Sequence, residues 1–142
     1  MPTQHAAADV ASIEAISVIF AAFLVFASAL IQHFSTVATR GTKYVLSDRS
    51  VPPSLAGFFG RATRTLANNI ESGLMWVPPV VVILLMHQAG WLSQLNAQVY
   101  IGARSVFVLS YWLNIPLTRS VAWLVGMICC GLAAVLAVIS VF

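Results

Sequence analysis

The sequence predicts an all-α fold, an integral membrane bundle of four helices in one domain. Three observations predict it. Of 142 residues, 60% are hydrophobic and only 8% charged, whereas a soluble domain carries about a quarter of its residues charged; the mean hydropathy is +0.92. The apolar residues gather into continuous runs near the ~20 residues that cross a hydrocarbon core, instead of alternating as barrel strands do. Third, the cations collect in the links between runs, where a membrane protein keeps them.

The first run covers about residues 13–37. The ten residues before it lack a basic n-region and the run is too long for a signal peptide, so it reads as a retained span. The second covers about 64–86 and contains Pro78-Pro79, which should bend it by removing donors. The third covers about 95–113 and the fourth about 117–142. A polar loop over about 40–60 joins the first two, with Val51-Pro52-Pro53 favouring extended or turn backbone. The other links are short, near His87 to Asn96 and at Asn114-Ile115-Pro116, which implies antiparallel neighbours.

Arg40, Lys43, Arg49, Arg61 and Arg64 lie in or beside the first link, and Arg119 beside the third. The positive-inside rule places both links in the cytoplasm and both termini on the opposite side. Cys129 and Cys130 are sequence neighbours on one helix, which point different ways, so they are expected to pack as small apolar residues. No second ligand stands at metal spacing from His33 or His87, so no metal is expected. The formal charge is +3, too modest to suggest a nucleic-acid partner.

Two ionisable residues fall deep inside spans, where each costs at least ~2.5–3.5 kcal/mol. Glu71 lies about 10 Å below the end marked by Arg64, and Arg104 about 15 Å below the end marked by Asn114. The matching depths predict a Glu71–Arg104 ion pair inside the bundle. By helical phase, Arg61, Arg64, Asn68 and Glu71 share one face of the second helix, and Tyr100, Arg104, Phe107 and Tyr111 one face of the third. Arg119 and Ser120 start the fourth helix at the level of Tyr111. Together these groups could surround one cavity for a small anionic, hydrogen-bonding ligand. Arg61, Arg64 and Arg119 could instead anchor helix ends at an anionic leaflet, and a Glu71–Arg104 pair could be purely structural.

The stretch Gly60-Arg61-Ala62-Thr63-Arg64-Thr65-Leu66-Ala67-Asn68-Asn69-Ile70-Glu71-Ser72 resembles the second-helix signature of the MAPEG family, the membrane-associated proteins of eicosanoid and glutathione metabolism. The spacing Arg64, Asn68, Glu71 is its most specific part. Arg104 with Tyr111, Pro116-Leu117-Thr118-Arg119-Ser120 and Trp123 resemble the later signatures. Ser47-Asp48-Arg49 followed by Pro52 resembles the first loop of bacterial members. The resemblance implies a left-handed four-helix subunit, a homotrimer in a bacterial inner membrane, and a glutathione site between subunits on the cytoplasmic side. It further implies Arg64, Asn68, Glu71 and Tyr111 as glutathione contacts and Arg104 as the partner of Glu71. Arg119, with Ser120 beside it, would stand near the thiol and stabilise the thiolate. A hydrophobic electrophile or lipid peroxide would then arrive from the membrane lipid. Ala67 and Phe107 replace basic or His residues of eicosanoid-making members, Trp123 replaces a tyrosine, and Gly73-Leu74 stands where a proline usually follows the glutamate. These departures point away from eicosanoid chemistry.

The leading expectation is therefore a glutathione-dependent membrane transferase or peroxidase. A second reading is a non-catalytic member whose polar core serves folding and trimerisation. A third, a proton-coupled exporter using Glu14, fits less well: Glu14 is expected at a hydrated helix end, suited to the helix dipole.

Overall fold

Residues 12–48, 50 and 54–142 are described in the computed structural model; Arg49 and Val51-Pro52-Pro53 lie outside them. The described chain forms four helices: α1 (Ile13–Val45), α2 (Gly57–Leu85), α3 (Trp91–Trp112) and α4 (Pro116–Val141). Helix α1 packs on α2 and α3 on α4, with α2 also against α4.

Local chemistry sets the ends. Ser12 caps α1, its hydroxyl accepting the Ala15 N–H at 3.2 Å, as a helix N-terminus requires. The helix then runs beyond the expected span to Val45, interrupted at Gly41 (φ 77°, ψ 166°). Across that kink the Arg40 guanidinium lies 6.0 Å from the Tyr44 ring centre. Helix α2 starts at Gly57, so the polar link expected over 40–60 is shorter than predicted. Gly60 is required there: a Cβ would meet the Leu55 carbonyl oxygen at 1.8 Å. Pro78 and Pro79 sit inside α2, which continues through both. Asn114 takes the left-handed conformation between α3 and α4 (φ 61°), tolerable for Asn, and Pro116 opens α4 where its missing N–H costs nothing.

The core repeats every seven residues on all four helices. Glu14, Ala21, Ser28 and Ser35 are buried on α1; Ala62, Asn69, Trp76 and Ile83 on α2; Ser93, Tyr100 and Phe107 on α3; Ala122 and Cys129 on α4. A seven-residue repeat keeps one seam inward when helices wrap left-handedly. Many of these residues are small or polar, which suits a membrane bundle, where close backbone approach and interhelical hydrogen bonds replace the hydrophobic drive. The outward residues are the large apolar ones, such as Ile19, Phe23, Phe34, Leu74, Ile128 and Ile139.

Helices α1, α2 and α4 are long and apolar enough to cross a membrane. Helix α3 has 22 residues but not the composition, because Ser93, Asn96, Arg104 and Ser110 interrupt it. All four are buried and face protein, whereas Gln94 and Gln98 are exposed. Cross-links bind it into the bundle. Asn96 Nδ2 donates to the Cys129 carbonyl at 3.0 Å, and the Ser72 and Tyr100 hydroxyls share a bond of 3.0 Å. Cys129 and Cys130 are free thiols buried in this core.

Glu14 corrects one expectation. It is 1% exposed rather than hydrated, and its Oε1 accepts the Ser93 hydroxyl at 2.6 Å. Ser17 Oγ–H donates to the Glu14 carbonyl at 2.6 Å and accepts the Trp76 indole N–H at 3.0 Å. Trp76 stacks flat on Tyr100, with ring centroids 3.9 Å apart at 2°. One tryptophan thus joins α1, α2 and α3, and Trp76→Ala should cost about 3–5 kcal/mol, read as a lowered unfolding midpoint of the detergent-solubilised protein.

Candidate functional site

At the end of the bundle where α3 hands over to α4, a recess of about 200 Å³ is lined by Asn68, Phe107, Tyr111, Arg119, Ser120 and Trp123. Three helices supply it. Tyr111 sits in the last turn of α3 and Arg119 in the first turn of α4, so the tight Asn114 turn folds the arginine back over the phenol. The guanidinium carbon lies 4.7 Å from the Tyr111 ring centre, a cation–π contact. Phe107 meets Tyr111 edge-on at 5.3 Å and 69°. Asn68 closes the third side from α2, its Nδ2 donating to the Arg64 carbonyl at 3.1 Å.

The recess therefore offers a fixed cation, a phenol and an amide against an aromatic floor. That set can bind an anion and orient it by hydrogen bonds. Ser120 contributes an acceptor, since its hydroxyl hydrogen is engaged with the Pro116 carbonyl at 2.9 Å.

Four of the residues singled out from the sequence thus meet at one recess: Asn68, Tyr111, Arg119 and Ser120. Arg64 and Glu71 do not line it; both are exposed on the outer side of α2, and Arg64 Nη1 donates to the Leu55 carbonyl at 3.4 Å. Of Arg64, Asn68 and Glu71, only Asn68 reaches the recess; Arg64 and Glu71 lie on the exposed side of α2.

The expected Glu71–Arg104 pair is not formed within the chain. Arg104 is 2% exposed and turns to the inner stripe of α2. Its Nη2 donates to the Asn69 side-chain oxygen in a short bond and to the Asn68 carbonyl at 3.3 Å, while its guanidinium lies 4.4 Å from the Phe107 ring centre. Asn69 Nδ2 donates to Ser28 Oγ at 2.7 Å, which carries the link on to α1. Arg104 meets α2 at Asn68 and Asn69, and adjacent positions on a helix differ by about 100°. Residue 69, two before Glu71, faces α3. The signal that could have revealed it is the spacing of Ala62, Thr65, Asn69, Ser72 and Trp76, in steps of three and four, which marks the packed seam of α2.

Comparison with known proteins bears on this geometry. The MAPEG family model matches residues 13–139. The chain belongs to the MAPEG family. No curated protein and no solved structure matches it. Membership together with three apolar helices fits a multi-pass membrane protein. The matched region contains the whole recess and the Arg104 cluster, so this MAPEG chain keeps a polar inner seam while its own arginine is held by amides.

A double-mutant cycle separates the two pairings. Arg104→Leu should cost about 1–3 kcal/mol by stranding the buried Asn69 side-chain oxygen. The coupling energy with Asn69→Leu should fall in the range of about 0.5–3 kcal/mol, and that with Glu71→Gln near zero. Larger coupling to Glu71 than to Asn69 in detergent unfolding would restore the ion pair.

Proposed function

We propose that this protein is a membrane-bound, glutathione-dependent transferase or peroxidase acting on hydrophobic electrophiles or lipid peroxides. The observation that carries the reading is Arg119 poised over Tyr111 at the mouth of a recess closed by Asn68, Ser120 and Trp123, in a chain of the MAPEG family.

In this reading Arg119 holds the sulfur as thiolate, the nucleophilic form of a thiol. Asn68 and Tyr111 hydrogen-bond the peptide part, and Trp123, 42% exposed, offers an apolar wall on the side from which a lipid-soluble substrate arrives. The thiolate attacks the electrophilic carbon, a sulfur–carbon bond forms, and the leaving group departs with the bonding pair. With a peroxide the sulfur takes one oxygen and the other leaves as alkoxide, which picks up a proton from water.

Two observations favour completion of the site by further copies of the chain, as a homotrimer. The recess of about 200 Å³ is smaller than the roughly 300–1,000 Å³ of ordinary ligand pockets, so it suits one part of a tripeptide. Glu71, exposed near the middle of α2 beside Ile70 and Leu74, would be costly against hydrocarbon. A neighbouring subunit covering this face would satisfy it and bring Arg64 and Glu71 to the ligand. With the cationic links inside, the site opens to the cytoplasm and both termini lie outside.

The second reading, a non-catalytic member, is favoured by the Ser28–Asn69–Arg104 and Ser72–Tyr100 links, which tie helices together and need no ligand to do so. Ligand binding and turnover decide between them. Millimolar glutathione should raise the unfolding temperature of the detergent-solubilised protein; no shift, and no heat in calorimetry, would favour the second reading. Arg119→Ala should leave the unfolding midpoint within about 0.5 kcal/mol while lowering glutathione-dependent turnover on a hydrophobic electrophile about 100- to 1,000-fold. Full activity in that variant removes Arg119 from the mechanism.

A further inference from the structure

At the cationic end of the bundle a groove runs between the last turns of α1 and the start of α2. It encloses about 470 Å³, with Ile31, Phe34, Ser35 and Thr39 on the α1 bank and Phe58 and Phe59 opposite. The four α1 residues stand at i, i+3, i+4 and i+8, so they share one face of the helix. Phe34 is 65% and Phe58 43% exposed, which leaves both banks open and outside the packed seam. The α1 bank is graded in polarity along the chain. Ile31 and Phe34 come first, the hydroxyls of Ser35 and Thr39 follow, and Arg40 and Lys43 lie beyond them toward the link. From Ile31 to Thr39 the helix rises about 12 Å.

Arg61 stands beside the groove. One turn after Phe58 on α2, its guanidinium carbon lies 5.7 Å from that ring centre. The side chain is half-buried, and its Nε is shielded from solvent with no hydrogen-bond acceptor among the described residues. Buried donors are nearly always paired, so this one marks an acceptor that the described chain does not supply. The single acid of the neighbouring link, Asp48, is exposed and accepts the Ser50 N–H at 3.1 Å. Arg40, Lys43, Arg61 and Arg64 therefore leave this end with an excess of positive charge.

We propose that the groove binds one anionic phospholipid per chain, taken from the leaflet on the side of the cationic link. An acyl chain lies along Ile31 and Phe34 between the helices, and the glycerol esters stand level with Ser35 and Thr39. The phosphate meets Arg61, whose planar fork of donors suits phosphate oxygens. Cations at helix ends attract an anionic leaflet diffusely; an apolar groove leading to a cation holds a single molecule in place. Charge complementarity selects this occupant over a second copy of the chain. Among the described residues the exposed carboxylates are Asp48, in the same link, and Glu71, near the middle of α2, so a copy has no acidic surface to lay on this groove. Neither the groove nor Arg61 is part of the recess at Arg119, and the inference stands apart from the glutathione reading.

Native mass spectrometry of the full chain, delipidated in detergent, counts the lipids it takes up. The probes are phosphatidylglycerol and phosphatidylcholine with the same acyl chains. The wild type should hold one phosphatidylglycerol per chain, about tenfold more tightly than phosphatidylcholine. Glycerol phosphate, which has the head but no acyl chain, should not displace it. Arg61→Gln should weaken phosphatidylglycerol about fivefold, as expected for one cation near a lipid surface, and leave phosphatidylcholine unchanged. Ala38 lines the groove and is exposed, so Ala38→Phe fills it without altering charge and carries the test if Arg61→Gln does not assemble. That variant should weaken both lipids about tenfold or more. Equal affinity of the wild type for the two lipids overturns the inference, as does an undiminished preference in folded Arg61→Gln. Full lipid binding by Ala38→Phe places the lipid elsewhere, and displacement by glycerol phosphate reduces the site to one for phosphate alone; each overturns it. Loss of a multimer in lipid-free Ala38→Phe assigns the groove to a second copy instead.

Discussion

A guanidinium buried in the middle of a helical bundle must have its donors satisfied, because nothing in hydrocarbon will replace water. Arg104 imposes that constraint on every helix here. It draws Asn69 inward from α2, and Asn69 in turn holds Ser28 of α1. Gly126 leaves the space that its stem occupies against α4. Once Asn69 is fixed inward, the rotation of α2 is fixed too. Asn68 must then lie at the flank facing the recess, and Glu71 must lie outside.

The same rotation separates two kinds of polarity on α2. Thr65, Asn69 and Ser72 are buried in a seam of small side chains, where each hydrogen bond joins helices without needing a charge. Arg64 and Glu71 are exposed on the outer side of the same helix. A membrane bundle can carry both, since its inner seam and its contact faces are each shielded from lipid. The large apolar side chains take the remaining surface, which would be a liability in water and is the solvated face in a bilayer.

The Tyr111–Arg119 contact depends on a different device. Asn114 in the left-handed conformation and Pro116 at the helix start reverse the chain within a few residues. A longer link would let Arg119 swing away from the phenol. The aromatic contact at 4.7 Å therefore reports the tightness of the turn as much as the attraction of a cation for a ring. Covalent connection on one side and the Asn68–Arg104 bond on the other bring the recess together from three helices.

The sequence by itself determined the fold class and the family, and it singled out Asn68, Tyr111, Arg119 and Ser120, which line the recess, together with Arg64 and Glu71, which do not. Apolar run lengths, the placement of cations and the spacing of Asn68, Tyr111, Arg119 and Ser120 are properties of the chain that do not depend on packing. It also showed that Arg104 lies deep. Only the tertiary structure decided what Arg104 meets, because Asn68, Asn69 and Glu71 occupy similar depths and differ in azimuth. Azimuth is set by which seam packs, and Trp76, Ser72 and Asn69 form the better seam for close helices. The burial of Glu14 was hidden for the same reason: its acceptor role appears only when Ser93, 79 positions away, is brought against it.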